Sequence, residues 1–261
     1  MREYTNKITL VKNLRGVYDL DPFKGCSYGI NNNSITKDYS LFEHDYSKKN
    51  GCYGICYANK IAKFRGYDFS KTVKRDFVNE AHIKQIGKQL EKIPFIRLGV
   101  SCDPSSDWEH TLNIIDKIKP YNKNIVVITK HWNNLTYKQC TRLKGVCVNT
   151  SISALDSKMQ IDNRLFWYSR LKEFCKSVLR VNTADFNDIK LNELQDKLLN
   201  NENVIDNVLR FSIGHDLAEN SVINVKKYKF LNTKVYASKH KDNIFFGYCK
   251  DCKDRCGVNL T

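Results

Sequence analysis

The sequence predicts an α/β fold, a partial (β/α)6-type TIM-like barrel with a short cysteine-rich C-terminal extension. Between residues 74 and 239, short β-branched runs alternate with longer amphipathic ones, the pattern of parallel strands joined by right-handed helical crossovers. Each run is four to eight residues long and mostly apolar, as strands covered on both faces should be. Neither a GxGxxG fingerprint nor a phosphate-loop pattern accompanies the repeat, which argues against a dinucleotide-binding sheet or an NTPase.

Taken in order, the expected strands are Ile8–Lys12, Phe95–Val100, Ile125–Lys130, Val146–Ser153, Val178–Asn182, Val208–Ile213 and Lys234–Ser238. Helices are expected between them. Residues 75–93 place Val78, Ile86, Leu90 and Ile93 on one side, and residues 106–119 do the same with Trp108, Leu112 and Ile115. Ser106 with Glu109 reads as a capping box for the second helix, and Pro120 as its stop. Residues 160–175 and 188–200 supply two more helical stretches. The polar stretch 27–50 reads as an inserted loop, so the expected organisation is a barrel over residues 1–246 and a cysteine-rich metal-binding tail over residues 247–261.

A chain of 261 residues with 41% hydrophobic content can bury a sizeable core. No apolar run is long enough for a leader or a membrane span, so the protein is expected in the cytoplasm and away from membranes. Ten cysteines in such a chain point to metal or redox chemistry rather than to a disulfide scaffold. A net charge of +15 permits a nucleic-acid partner, although the lysines and arginines are spread along the chain.

Polar side chains recur at the expected strand ends: Ser101, Cys102 and Asp103; Thr129 and Lys130; Asn149, Ser151 and Ser153; Asn182 and Asp185; Ser212, His215 and Asp216; Ser238, Lys239 and His240. Reactive groups of parallel β/α folds gather there. The densest chemistry lies in Asp21-Pro22-Phe23-Lys24-Gly25-Cys26 and Gly51-Cys52-Tyr53-Gly54-Ile55-Cys56-Tyr57-Ala58. Thiolates are soft ligands suited to iron, and glycines beside Cys26 and Cys52 let the backbone approach a cluster.

These residues resemble the Asn-Pro-Tyr-x-Gly-Cys…Cys…Cys-Tyr-Ala signature of radical S-adenosylmethionine proteins, in the branch of spore photoproduct lyase and related phage proteins. Ser101-Cys102-Asp103-Pro104 resembles that superfamily's loop after its second strand, and Val178-Leu179-Arg180-Val181-Asn182 a later strand that reaches the cofactor. The cysteine spacing here is longer, with 25 residues between Cys26 and Cys52 and three between Cys52 and Cys56. The resemblance implies a [4Fe–4S] cluster on Cys26, Cys52 and Cys56, S-adenosylmethionine on its open iron, and an electron donor such as a flavodoxin or ferredoxin. It also implies that Asp103 meets the methionyl amino group and that Ser151, Arg180 and Asn182 reach the carboxylate or ribose. A nucleic acid or nucleotide is the substrate class that the charge permits. The competing expectations are a non-catalytic, metal-stabilised nucleic-acid-binding protein and an iron–sulfur electron carrier.

Cys249, Cys252 and Cys256 form a second cluster, for an auxiliary iron–sulfur centre or a zinc knuckle with Cys26, His240 or Cys102 as fourth ligand. Cys102, directly after a strand, is expected to face the mouth as a catalytic hydrogen-atom donor or ligand, or else to pack as a thiol. Cys140, Cys147 and Cys175 fall in helix or strand patterns and are expected in the core. His131, as a loop histidine, is expected to be solvated. Trp108, Trp132 and Trp167 are candidates for stacking on bases, with helical packing the competing account of Trp108 and Trp167.

Overall fold

The computed structural model describes residues 6–29, 56–121, 124–211, 222–230, 233–241 and 244–260. Its strands are β1 (Val11–Lys12), β2 (Tyr18–Asp19), β3 (Phe23–Lys24), β4 (Val73–Lys74), β5 (Ile96–Leu98), β6 (Ile125–Thr129), β7 (Val146–Ile152), β8 (Lys176–Thr183), β9 (Val204–Phe211), β10 (Lys226–Phe230) and β11 (Thr233–Ser238). Its α-helices are α1 (Tyr57–Phe64), α2 (Glu80–Leu90), α3 (Trp108–Ile118), α4 (Tyr137–Arg142), α5 (Lys158–Leu171) and α6 (Ile189–Leu199).

Nine strands form one sheet in the order β1-β2-β5-β6-β7-β8-β9-β11-β10, and β3 pairs with β4 apart from it. The run from β2 through β9 is parallel, whereas β1, β11 and β10 each pair antiparallel. The protein is thus a mixed α/β fold on a large, mostly parallel sheet. Two expectations are corrected. The 8–12 stretch does not open the parallel run, because only Val11–Lys12 is a strand and it runs against β2. Lys234–Ser238 lies in a strand, but it pairs antiparallel with both β10 and β9.

Period-two alternation sorts the strand side chains onto two different faces. On one face Ile96, Leu98, Ile125, Val127, Val146 and Val148 meet Ile86 and Leu90 of α2, Leu112 and Ile115 of α3, and Trp167 and Leu171 of α5. Farther along, Ile152, Leu179 and Val181 meet Ile161, Tyr168 and Leu198 of α5 and α6. On the other face Phe95, Val126, Cys147, Val178 and Ile205 meet Cys249 and Cys256 of the C-terminal segment. The residues expected as an appended tail therefore pack against the sheet face opposite the helices, called the inner face below. Asn149 Nδ2 donates to Cys256 O at 2.9 Å, and Lys176 Nζ donates to the carbonyls of Val258 and Leu260.

Helix starts follow their capping side chains. Asn79, Asp107, Ser157 and Asp188 each accept a backbone N–H from the first turn, and Thr136 with Gln139 forms a capping box at α4. The Ser106–Glu109 box does not form. Pro104–Ser106 is a 3-10 turn, and Asp107 caps α3 by accepting from His110 N at 3.0 Å.

Candidate functional site

The C-terminal ends of the parallel strands carry two buried carboxylates that tie loops together. Asp21, just past β2, accepts the N–H groups of Gly99, Val100 and Ser101, each at 2.9 Å, and bonds the Ser101 hydroxyl. It thereby fixes the loop that delivers Cys102. Asp103 accepts from Ser105 N at 3.1 Å, Ser105 Oγ at 2.8 Å, Thr129 Oγ1 at 2.6 Å, and the N–H groups of Lys130 and His131, both at 3.0 Å. Both oxygens are thus engaged in holding the β5 and β6 ends together, and Asp103 is 4% exposed.

Cys102 sits between these carboxylates. Burial pushes its thiol well above the ordinary range, the charges of Asp21 and Asp103 add to this, and the Phe23 N–H facing it opposes them. Cys26 is close enough to bear on both Cys102 and Tyr28. Cys26 and Cys56 pack against one cluster of Ala58, Ala62 and Phe69, so two of the three expected ligands border the same apolar cluster. Cys52 lies outside the described residues.

His131 is buried rather than solvated. Its ring stacks on Tyr28 with centroids 4.4 Å apart and planes 12° from parallel, and its Nε2 is buried without a hydrogen-bond partner among the described residues. Tyr28 Oη receives Asn133 Nδ2 at 2.7 Å and lies 2.9 Å from Ser105 Oγ. Burial lowers the His131 pKa to about 4, against the opposing pull of Asp103; Arg164 and Lys130 lower it further, and Asp156 opposes them. Beneath this stack, burial works against the Asp156 charge, but Arg164 and Lys130 outweigh it and hold the carboxylate below its ordinary range.

A free imidazole takes up its proton near about pH 6.5. Because the folded pKa is lower, only the unfolded chain gains that proton as the pH falls from 6.5 towards 4, so stability present at neutral pH is lost through this window. Lowering the pH from about 7 to about 4.5 is expected to cost about 2 kcal/mol through His131. Urea unfolding at the two pH values checks this. In His131→Phe, which keeps a ring against Tyr28, the pH-dependent loss should shrink by that amount; an unchanged loss would exclude His131 as its source.

The inner face carries a polar ladder. Ser151 lies beside Arg180 in register, Arg180 Nη2 donates to Asn207 Oδ1 at 2.7 Å, and Asn207 Nδ2 donates to Asn182 Oδ1. Ser151, Arg180 and Asn182, expected together from the sequence, are neighbours here, whereas Asp103 stands apart at the β5 and β6 ends. Towards the strand starts, Asn149 Oδ1 is fully buried with no partner among the described residues, and Arg97 pairs with Asp19 at 2.9 Å while its Nη1 reaches Cys249 Sγ at 3.9 Å.

Cys249 and Cys256 are buried in the inner-face cluster, and Cys252 is half-buried beside them. Burial raises the Cys252 pKa, while the N–H groups of Asp254 and Arg255 face its sulfur and oppose that rise. Asp254 is right-handed and Arg255 left-handed (φ 42°), the backbone pair that forms an anion-receiving nest. The fourth ligands considered from the sequence are not nearby: Cys26 and Cys102 lie at the opposite ends of the strands, and His240 Nε2 meets Asp196 at 2.8 Å. Among the described residues, no three His, Cys, Asp or Glu side chains stand together as a complete metal-ligand group.

Cys140 and Cys147 lie in the core as expected, and Cys175 packs against it. The tryptophans stack on one another rather than facing solvent, with centroids 5.4 Å apart for Trp108–Trp132 and 5.5 Å for Trp132–Trp167, which accounts for them as helix-side core. Ser212, His215 and Asp216 lie outside the described residues. Ser238 Oγ receives Asp185 N at 2.7 Å, and the chain then leads away from the strand ends.

The sequence carries no sign of Tyr28 at this end of the molecule; it places Asp21 in the 21–26 stretch without a role of its own, and the expected solvation of His131 is corrected by its burial. The Tyr28–His131 stack joins positions too distant in the chain for any local pattern to reveal. No protein-family model matches the chain, and no curated protein matches it in sequence. No helix among the described residues is long and apolar enough to cross a membrane.

Proposed function

We propose that this chain is a cytoplasmic iron–sulfur protein of the radical S-adenosylmethionine type, built as a partial β/α barrel whose open inner face receives the cofactor and substrate. One observation carries the reading: Cys26 and Cys56, 30 positions apart, pack on the same apolar cluster at the end of the sheet where the Cys102 loop emerges. Helices packed on a single face of the parallel run, with polar side chains on the other, support the barrel. Soft sulfur donors at Cys26 and Cys56 fit iron, with Cys52 completing the set. When bound there, a [4Fe–4S] cluster supplies the electron that cleaves S-adenosylmethionine and starts radical chemistry.

The chain's own residues do the positioning. Asp21 and Asp103 freeze the loop carrying Cys102. Arg180 offers a guanidinium to a carboxylate, and Ser151 and Asn182 offer a hydroxyl and an amide to carboxylate or ribose. Cys102 retains its proton, so its S–H bond is the hydrogen-atom source beside the site. Asp103, with both oxygens engaged, acts by holding the loop rather than by touching the methionyl amino group. The Cys249–Cys256 segment is a second thiolate site, for an iron–sulfur cluster or zinc, supported by the backbone nest around Cys252.

Anaerobic reconstitution with iron and sulfide tests this. Wild-type protein is expected to hold iron and acid-labile sulfide with a broad visible absorption, to bind a flavodoxin or ferredoxin as reductant, and to release 5′-deoxyadenosine from S-adenosylmethionine. Cys26→Ala/Cys56→Ala is expected to lose the iron of this site. A fully loaded, reduced protein that forms no 5′-deoxyadenosine would end the catalytic reading, and zinc in place of iron with salt-sensitive nucleic-acid binding would replace it with a non-catalytic one.

A further inference from the structure

We infer that the β10–β11 hairpin is a docking edge for a single strand of nucleic acid, which it holds by the phosphates at the end of the sheet where Cys102 emerges. The inference deepens the proposed function by giving the substrate class a surface, and its binding step requires no cluster.

Residues 222–241 contain Lys226, Lys227, Lys229, Lys234, Lys239 and Lys241 and no aspartate or glutamate. The +15 charge is thus locally unbalanced here, although basic residues occur throughout the chain. β10 is the edge strand of the nine-stranded sheet. Its register places Tyr236 opposite Phe211, so the pairs from Tyr228–Val235 to Phe230–Thr233 lie on the C-terminal side of that β9 position. That side is the one bearing the candidate site, because β9 runs parallel to β5 and β6 through the sheet.

Cations and rings meet on both faces of this hairpin, with Tyr228 on one face and Lys227 and Tyr236 on the other. Lys239 Nζ lies 5.5 Å from the Tyr228 ring centroid, Lys227 Nζ 6.0 Å from that of Tyr236, and the Arg210 guanidinium 5.3 Å from that of Phe246. Tyr228 and Phe246 are themselves 5.3 Å apart. A cation resting on a ring keeps its full charge, so these contacts order the side chains without neutralising them. Positive charge tracking a backbone, with rings for successive bases, is the chemistry that holds single strands. Asp196 and Asp206 face His240, and Asp206 also faces Lys241, which marks where the basic track ends.

Edge strands also carry lysine to discourage pairing with other chains, and this accounts for exposed Lys226 and Lys227 taken alone. It does not account for Lys239 and Arg210 joining the same ring cluster from two other strand segments. A duplex hides its base faces from such rings, and an acidic protein has no need of them.

The test uses the full chain and fluorescently labelled single-stranded RNA and DNA of mixed sequence, with anisotropy read from about 50 to about 200 mM salt. The wild type is expected to bind with a steep salt dependence. Lys226→Glu/Lys227→Glu, at exposed edge positions, is expected to weaken binding about tenfold or more and to flatten the log–log salt slope by about 1.4, since a single strand releases roughly 0.7 counterion per contacted phosphate. Lys138→Glu/Lys190→Glu makes the same charge change on exposed helical positions and is expected to alter affinity less than about twofold. Circular dichroism confirms that both variants are folded. Equal weakening in the control, no wild-type binding at low salt, or binding only to phosphatidylserine-containing vesicles would overturn the assignment. Binding without 5′-deoxyadenosine formation keeps the docking edge and removes the radical reading; the reverse pattern does the opposite.

Discussion

Asp103→Ala is expected to destabilise the fold by about 5 kcal/mol, because it strips the acceptor from five buried or half-buried donors at once. Ser105 N and Oγ, Thr129 Oγ1, Lys130 N and His131 N all converge on this one carboxylate, which joins the loop after β5 to the end of β6. Buried donors cost far more when orphaned than the net worth of the bonds they made, and water has little access to a residue 4% exposed. Urea unfolding measures the loss directly. A change below about 1 kcal/mol, paired with loss of S-adenosylmethionine binding, would instead return Asp103 to the direct cofactor contact expected from the sequence.

The second large effect comes from Gly99, one residue past β5. Its φ of +86° is unfavourable for any residue with a Cβ, and an added Cβ would lie 2.1 Å from the carbonyl oxygen of Ile128 and 2.6 Å from the Pro104 ring. The obstacle is backbone of the neighbouring strand, so relief requires β5 and β6 to separate where Asp21 bonds the Gly99–Ser101 loop. Gly99→Ala is expected to cost about 4 kcal/mol, combining left-handed strain with this collision. Thermal and urea unfolding of the purified variant check it; a shift within about 0.5 kcal/mol would show that the loop can be rebuilt without strain.

The parallel part of the sheet was legible because long apolar runs such as Ile125–Thr129 and Val146–Ile152 need no tertiary information to be read as buried strands. α3, α5 and α6 were legible as helical stretches, although Asp107 rather than Ser106 caps α3 because Ser106 is used in the preceding turn. Two-residue strands such as β2 and β3 leave no periodicity to detect, and α1 is too short to stand out beside a cysteine block. The direction of β11 depended on recognising β10, a lysine-rich edge whose composition reads as solvent-exposed loop. At the candidate site, Ser151, Arg180 and Asn182 were grouped by the family resemblance alone, and adjacent strands hold them close in register. The burial of His131 was not, since it depends on Tyr28 arriving from more than a hundred positions away.

The way residues 249–260 tuck against β7 and β8 bears on how the molecule is made. Asn149 meets Cys256 across 107 positions of sequence, and Lys176 meets Val258 across 82. As the nascent polypeptide leaves the ribosome, the helical side of the sheet can assemble from neighbouring segments, yet Cys147, Val178 and Ile205 stay wetted until the final stretch emerges. Covering this face of the sheet is therefore a later event in biosynthesis than covering the helical one, and it waits for Cys249 and Cys256 to arrive.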